Sequence, residues 1–322
     1  MSAKSSRGAF AVLILANVVY ATAYSTARVA MNGVPPATLA FVRLFIAGLA
    51  LLPFFGVRGE APLSRRDFWS VAGMGIIGLG AAFWLGNVGI AWSSSTDAAL
   101  LVVVEPVALM LLGPALLGET LSRREAAGAA LAVVGSALVV FNGVPGVSAR
   151  LLPHWRGDVI LILGGLAFAV YSLLSRPVLA RADAGRVTVL SMFWGAAAIF
   201  PLAAREWMAG RRPVWTFSAA AATIYLTLAV TALGFFLWNW ALERVETSRA
   251  AIFLTSQPIL GALLGVLWLK ERVTVFTLSG GALIVAGLVA AFWPARANAL
   301  QAFDALADKP AEIIRGGAGS EL

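Results

Sequence analysis

Runs of about twenty apolar residues recur along this chain from end to end, and no other feature narrows its possible folds so far. A helix rises 1.5 Å per residue, so about twenty residues cross the hydrocarbon core of a bilayer. Ten such segments are predicted, at 9–29, 36–55, 67–89, 96–117, 122–141, 157–179, 187–206, 216–240, 248–269 and 273–293. Short loops rich in Pro, Gly and Arg separate them, such as "NGVPPAT" and "NGVPGVSARLLPHWRGD". The uninterrupted runs exclude the residue-by-residue alternation of a membrane β-barrel. Sixty per cent of the 322 residues are hydrophobic and 12% are charged. A soluble domain carries about twice that share of charge.

The formal net charge of +8 does not point to nucleic acid, because Lys and Arg gather in the short loops, as membrane topology requires. If the N-terminus is cytoplasmic, the basic residues on the cytoplasmic side outnumber those opposite by about two to one. Both termini are therefore expected in the cytoplasm. There is no cysteine and one histidine, His154, so neither a metal centre nor a nucleophilic cysteine is expected. The sequence holds no Gly-rich phosphate loop of the Gly-x(4)-Gly-Lys type and no catalytic constellation. We expect neither an enzyme nor a bound cofactor.

The chain also repeats itself. Asn87 aligns with Asn239, Pro106 with Pro258, Gly113 with Gly265 and Glu119 with Glu271, a constant shift of 152. Gly128 and Gly135 fall on Gly280 and Gly287 in the same register. Near the N-terminus the shift is 148, with "LILA" over "LILG" and Arg28 over Arg176. Each copy carries five predicted spans, an odd number, so the second copy must cross the membrane in the opposite sense. The expected fold is an all-α membrane protein: ten transmembrane helices as two inverted five-helix repeats around a central cavity. The boundaries are 9–141 for the first repeat, 142–156 for a linker, 157–293 for the second repeat and 294–322 for a cytoplasmic tail.

Both copies end their fourth span as P-x(6)-G-x(5)-E, in "PVALMLLGPALLGE" and "PILGALLGVLWLKE", and follow it with a Gly-rich fifth span. With Arg43 in "FVRLFIAG", these residues make the chain resemble the EamA-type members of the drug/metabolite transporter superfamily over about 9–293. Within that family it is similar to exporters of aromatic amino acids. The resemblance implies a multi-pass protein of the bacterial inner membrane. It further implies export of small metabolites by alternating access. Ten spans already close a complete transporter, so a functional monomer in contact with membrane lipid is expected.

Polar groups at depth mark candidate sites, because placing them there is costly. Glu105 stands mid-span in "VVVEPV", and its repeat counterpart is Gln257. It reads either as a cavity group for a substrate ammonium or a proton, or as a structural partner of Arg43 or Arg28. Asn17, Asn87, Asn239 and Gln257 are neutral candidates for substrate contact or for bonds between helices. Tyr20, Phe83, Trp84, Tyr171 and Trp238 supply the apolar walls that a pocket for bulky amino acids needs. Pro106 and Pro258 are candidate hinges, since proline removes a backbone donor within a helix. An exporter of another metabolite or drug class, or a channel, remains an alternative to amino-acid export.

Overall fold

The computed structural model describes residues 12, 14–55, 63–117, 121–142, 154–179, 181–235, 237 and 256–292. The chain divides into a unit of residues 1–291 and a C-terminal unit of 292–322, and the description that follows is of the first. Among the described residues all regular structure is helical. Helix α1 covers residues 14–30, with a turn at Thr22. It is followed by α2 (Pro36–Phe55), α3 (Arg65–Trp92), α4 (Ser95–Leu116) and α5 (Arg123–Asn142). The next helices are α6 (Trp155–Leu179), α7 (Ala184–Met208), α8 (Phe217–Leu233), α9 (Ser256–Leu269) and α10 (Val275–Phe292). Seven of these, α2 to α7 and α10, are long and apolar enough to cross a membrane, and α8 and α9 are shorter apolar helices. The tail at 294–322 and most of the linker at 142–156 lie outside the described residues.

Large apolar side chains point outward, among them Leu116 at 64% and Leu267 at 74% exposed, as a lipid-facing surface requires. Inside, the helices meet through small residues. Ala37, Ala40, Leu44, Ala47 and Leu51 of α2 share a buried core with Val189, Met192, Ala196, Ile199 and Ala203 of α7. The alternating three- and four-residue spacing on both helices makes a continuous seam. The Phe41 ring meets Phe200 at a tilt and the Phe45 ring meets Phe193 edge-on, so the two helices run antiparallel. Helices α5 and α10 also meet antiparallel. A Cβ at Gly135 would lie 2.6 Å from the carbonyl oxygen of Gly280, and one at Gly128 would lie 2.8 Å from the Cβ of Ala291 and against Gly287. Only glycine permits backbones to approach this closely.

Helix α3 lies along α6, with Gly86 against Gly164 and Gly157 against the turn at Ser93. Arg28 secures that turn. Its Nη1 donates to the carbonyls of Ile90, Ala91 and Ser93, where α3 leaves its last acceptors unsatisfied. Ser93 donates to Asp158 of α6, a side chain that is fully buried.

Two helices contain a wider π-helical turn, Met74–Gly80 in α3 and Leu226–Leu233 in α8. Met74 and Leu226 are themselves related by the 152-residue shift. Helix α4 is broken at Val102 and Val103. Pro106 has no N–H to offer the carbonyl of Val102, and its ring crowds that carbonyl. The backbone N–H of Glu105 reaches it instead, at 3.3 Å. Pro258 stands in the first described turn of α9, and residues 251–255 before it lie outside the described residues.

Candidate functional site

The break in α4 leaves Glu105 at the start of its second half, facing α6. Ser172 of α6 donates its hydroxyl to the Glu105 carboxylate at 3.0 Å. Gly165, on the same helix, lets the backbone of α6 approach Val104, whose Cβ would lie 3.0 Å from a Cβ at that position. The phenols of Tyr20, Tyr24 and Tyr171 all lie within electrostatic reach of Glu105. Residues of three helices, α1, α4 and α6, thus place three phenols in the electrostatic neighbourhood of one acid. A carboxylate here can hold a proton or an organic cation, and phenol hydroxyls can share either.

Aromatic surface surrounds this group. Tyr20 meets Phe235 edge-on with ring centroids 6.4 Å apart, and its ring covers Gly234. Tyr171 packs on Phe168 at 5.6 Å and against the π-helical turn of α3 at Gly78. Phe83 and Trp84 are partly buried beside the α2–α7 core, and the guanidinium of Arg43 lies 4.6 Å from the Phe83 ring centroid. Arg43 donates through Nη2 to Thr231 at 3.2 Å. Neither arginine proposed from the sequence as a partner for Glu105 plays that part. Arg28 is spent on the carbonyls ending α3, and Arg43 bonds to α8.

Asn17 and Gln257 come together. The Gln257 amide donates to the Asn17 Oδ1 at 2.9 Å, both side chains are buried, and the bond joins α1 to α9. Asn87 is turned to α2, where its amide donates to the carbonyl of Pro36 at 3.0 Å. Trp238 and Asn239 lie outside the described residues. Ser172 and Thr231 carry no signal in the sequence. A lone hydroxyl in an apolar helix most often bonds its own backbone, so sequence alone gives no reason to select one. Arg43 enters the sequence reading through the family resemblance and as a candidate partner of Glu105, although a charge inside an apolar run carries the same cost as Glu105 itself.

The shared motif has a structural meaning at one end. Lys270, at a φ of 54°, reverses the chain after α9 and places Glu271 over the N-terminus of α4. Ser95 and Thr96 each donate a backbone N–H and a hydroxyl to its carboxylate, at 2.6–2.9 Å. A Cβ at Gly265 would lie 2.8 Å from the same carboxylate, so the motif glycine makes room for the motif acid. Burial works against ionisation of Glu271, but these hydrogen bonds outweigh it and hold the carboxyl below its usual range.

Comparison with known proteins agrees with this architecture. A solved structure titled "Crystal structure of protein" superposes with a TM-score of 0.61 at 22% identity, covering 88% of this chain and 96% of the other. A protein of Streptantibioticus cattleyicolor described as a probable terminal-alkyne amino-acid exporter is 30% identical over 278 residues, 86% of this chain and 91% of its own. One from Escherichia coli, described as a probable amino-acid metabolite efflux pump, is 23% identical over 289 residues, 87% and 93%. The model of the EamA-like transporter family matches residues 7–141 and again 155–293. The chain therefore belongs to the EamA-like transporter family.

Proposed function

We propose that this protein exports amino acids with bulky apolar or aromatic side chains, or closely related small metabolites, from the cytoplasm across the bacterial inner membrane. The observation that carries the reading is Glu105, a carboxylate held at the break of α4 among Tyr20, Tyr24 and Tyr171. An ammonium would bind at that carboxylate, and Tyr20, Phe83, Trp84 and Tyr171 would surround the side chain of the transported molecule. Asn17 and Gln257 belong to the same site, and Asn87, Trp238 and Asn239 are further candidates for substrate contact.

Alternating access follows if the two halves are inverted repeats. Two antiparallel pairs support this arrangement. Helices α2 and α7 are equivalents under the 148-residue shift, and α5 and α10 under the 152-residue shift. Gly135 meets Gly280 while Gly128 meets Gly287, so each residue contacts the counterpart of the other. A two-fold axis between the helices produces that exchange. Both termini then face the cytoplasm, the halves are 9–141 and 157–293, and one chain suffices as a functional monomer. Pro106 and Pro258 would serve as equivalent bending points.

The test is counterflow of labelled L-phenylalanine in proteoliposomes, with and without a proton gradient. Trans-stimulation by unlabelled amino acid is expected of a carrier, and its absence would exclude this mechanism. Glu105→Gln should lower exchange and alter its pH profile. A variant matching the wild type in both rate and profile would remove Glu105 from the site.

A further inference from the structure

We infer that Arg43 is the binding residue for a carboxylate on the transported molecule, so that the substrate class is the zwitterionic amino acid or another small organic acid. This rests on the reading of the Glu105 region as a substrate cavity.

Arg43 sits eight residues into α2, inside an apolar run, and is 8% exposed. A guanidinium carries five N–H donors. The described residues give this one a single acceptor, the Thr231 hydroxyl. That hydroxyl sends its own proton to the carbonyl of Leu226 at 2.8 Å, a five-residue bond made possible by the π-helical turn of α8. Its lone pairs are thereby turned to Arg43. Among the described residues the Nε of Arg43, itself buried, has no hydrogen-bond partner. Among the described residues no carboxylate forms an ion pair with it. The Phe83 face stabilises the cation from one side and satisfies none of its N–H groups.

A buried charge left in this condition is costly. Had the position served packing alone, an uncharged side chain would meet the same neighbours at lower cost. The planar fork of arginine suits one class of ligand above others, an oxyanion taken by two parallel N–H bonds. Tyr24 is within electrostatic reach of both Arg43 and Glu105, so the cation and the acid share one neighbouring phenol. Neither bonds to the other, since Glu105 is occupied by Ser172 and Arg43 by Thr231. A cation and an anion held apart in an aromatic-walled region match the two charges of an amino acid in opposite sense.

The experiment uses the full chain in proteoliposomes. Counterflow of labelled L-phenylalanine is challenged with unlabelled L-phenylalanine, with L-phenylalaninamide, which lacks the carboxylate, and with 3-phenylpropionate, which lacks the ammonium. In the wild type the amide should compete at least about tenfold more weakly than phenylalanine. In Arg43→Gln, phenylalanine and 3-phenylpropionate should each lose at least about tenfold in apparent affinity, while the amide competes as it does in the wild type. Arg43→Lys keeps the charge without the fork and should fall between them.

A wild type that binds the amide as well as the acid overturns the assignment, and that comparison needs no variant to fold. Equal weakening of acid and amide in Arg43→Gln also overturns it, because Arg43 is then structural. In both cases phenylalanine exchange survives, so the proposed function stands. Exchange of none of the three compounds by the wild type would instead defeat the proposed function, and this inference with it.

Discussion

Gln257 donates to Asn17 across 2.9 Å, whereas its repeat counterpart, Glu105, accepts from Ser172 at 3.0 Å. The same two pairs of helices are joined, α9 to α1 and α4 to α6. The 148-residue shift that relates α1 to α6 places Gly165 opposite Asn17. Where one half has an amide facing an amide, the other has a glycine facing the backbone of an acid. Glu105 must find its donor two turns further along α6, and the acid is where the two halves differ in chemistry.

The Asn17–Gln257 bond should behave as a buried pair. Asn17→Leu alone leaves the Gln257 amide without its acceptor and should cost about 1–3 kcal/mol. Combining it with Gln257→Leu should recover part of that loss, since both polar partners are then gone. A double-mutant cycle on thermal unfolding in detergent measures the coupling, expected near 1 kcal/mol and favourable. Strict additivity would mean that the bond contributes nothing to the joining of α1 and α9.

At the α5–α10 crossing the prediction concerns volume. A methyl at Gly135 would meet the Gly280 carbonyl at 2.6 Å and the Ile284 nitrogen at 2.8 Å, both of them backbone atoms that cannot swing aside. Gly135→Ala should destabilise the protein by about 1–3 kcal/mol. Gly86→Ala is the control, because among the described residues no atom outside its own helix lies within 4 Å of a Cβ there, and alanine favours the helix by about 1 kcal/mol. Melting temperatures of the two variants should move in opposite directions. A shared direction would show that the crossing is not closely packed.

The contrast between these glycines shows how far a sequence speaks. Hydropathy places the helices because the bilayer imposes a length, and helix is found in each of the ten expected segments. The register of proline and glycine reveals the repeat, since a close crossing tolerates few residue types. Glu105 is legible because a mid-span charge is costly. The partners are not legible. Ser172 is 67 residues from Glu105, and Thr231 is 188 from Arg43. Nothing local marks either hydroxyl. The sequence leaves Asn87 open between substrate contact and a bond between helices, and its amide makes the second, to the start of α2 at Pro36. The broken turn of α4 follows from Pro106, whereas the π-helical turns of α3 and α8 have no sequence signature beyond the shift that relates them.

Glu271 carries a pH prediction. Its carboxyl is held below the usual range, so its contribution is present above the pKa of the unfolded chain. That contribution is lost as pH falls through the lower folded value. The wild type should therefore lose stability on acidification below the ordinary glutamate range. Glu271→Gln replaces an acceptor-only group with an amide whose NH2 opposes the donors of Ser95 and Thr96. It should cost about 2 kcal/mol near neutral pH. The difference between the two proteins should shrink toward acid. Melting curves from pH 7 downward check the sign, and a gap that widens in acid would contradict the capping role.

Pro106 separates shape from motion. Alanine at this position restores an N–H to the Val102 carbonyl and removes the crowding ring, so α4 should close its break between Val102 and Glu105. Pro106→Ala should melt no lower than the wild type, because a helix residue replaces a helix breaker. Its counterflow rate should fall, for two reasons. Glu105 would turn with the straightened helix away from Ser172, and one half of α4 could no longer bend against the other. The double variant Pro106→Ala with Pro258→Ala distinguishes these causes. If the two prolines are equivalent bending points, the second substitution slows exchange further and leaves apparent affinity unchanged. If Pro106 serves only to aim Glu105, affinity falls in the single variant and the second substitution adds nothing. A Pro106→Ala protein that exchanges at the wild-type rate and affinity would show that the break in α4 has neither role.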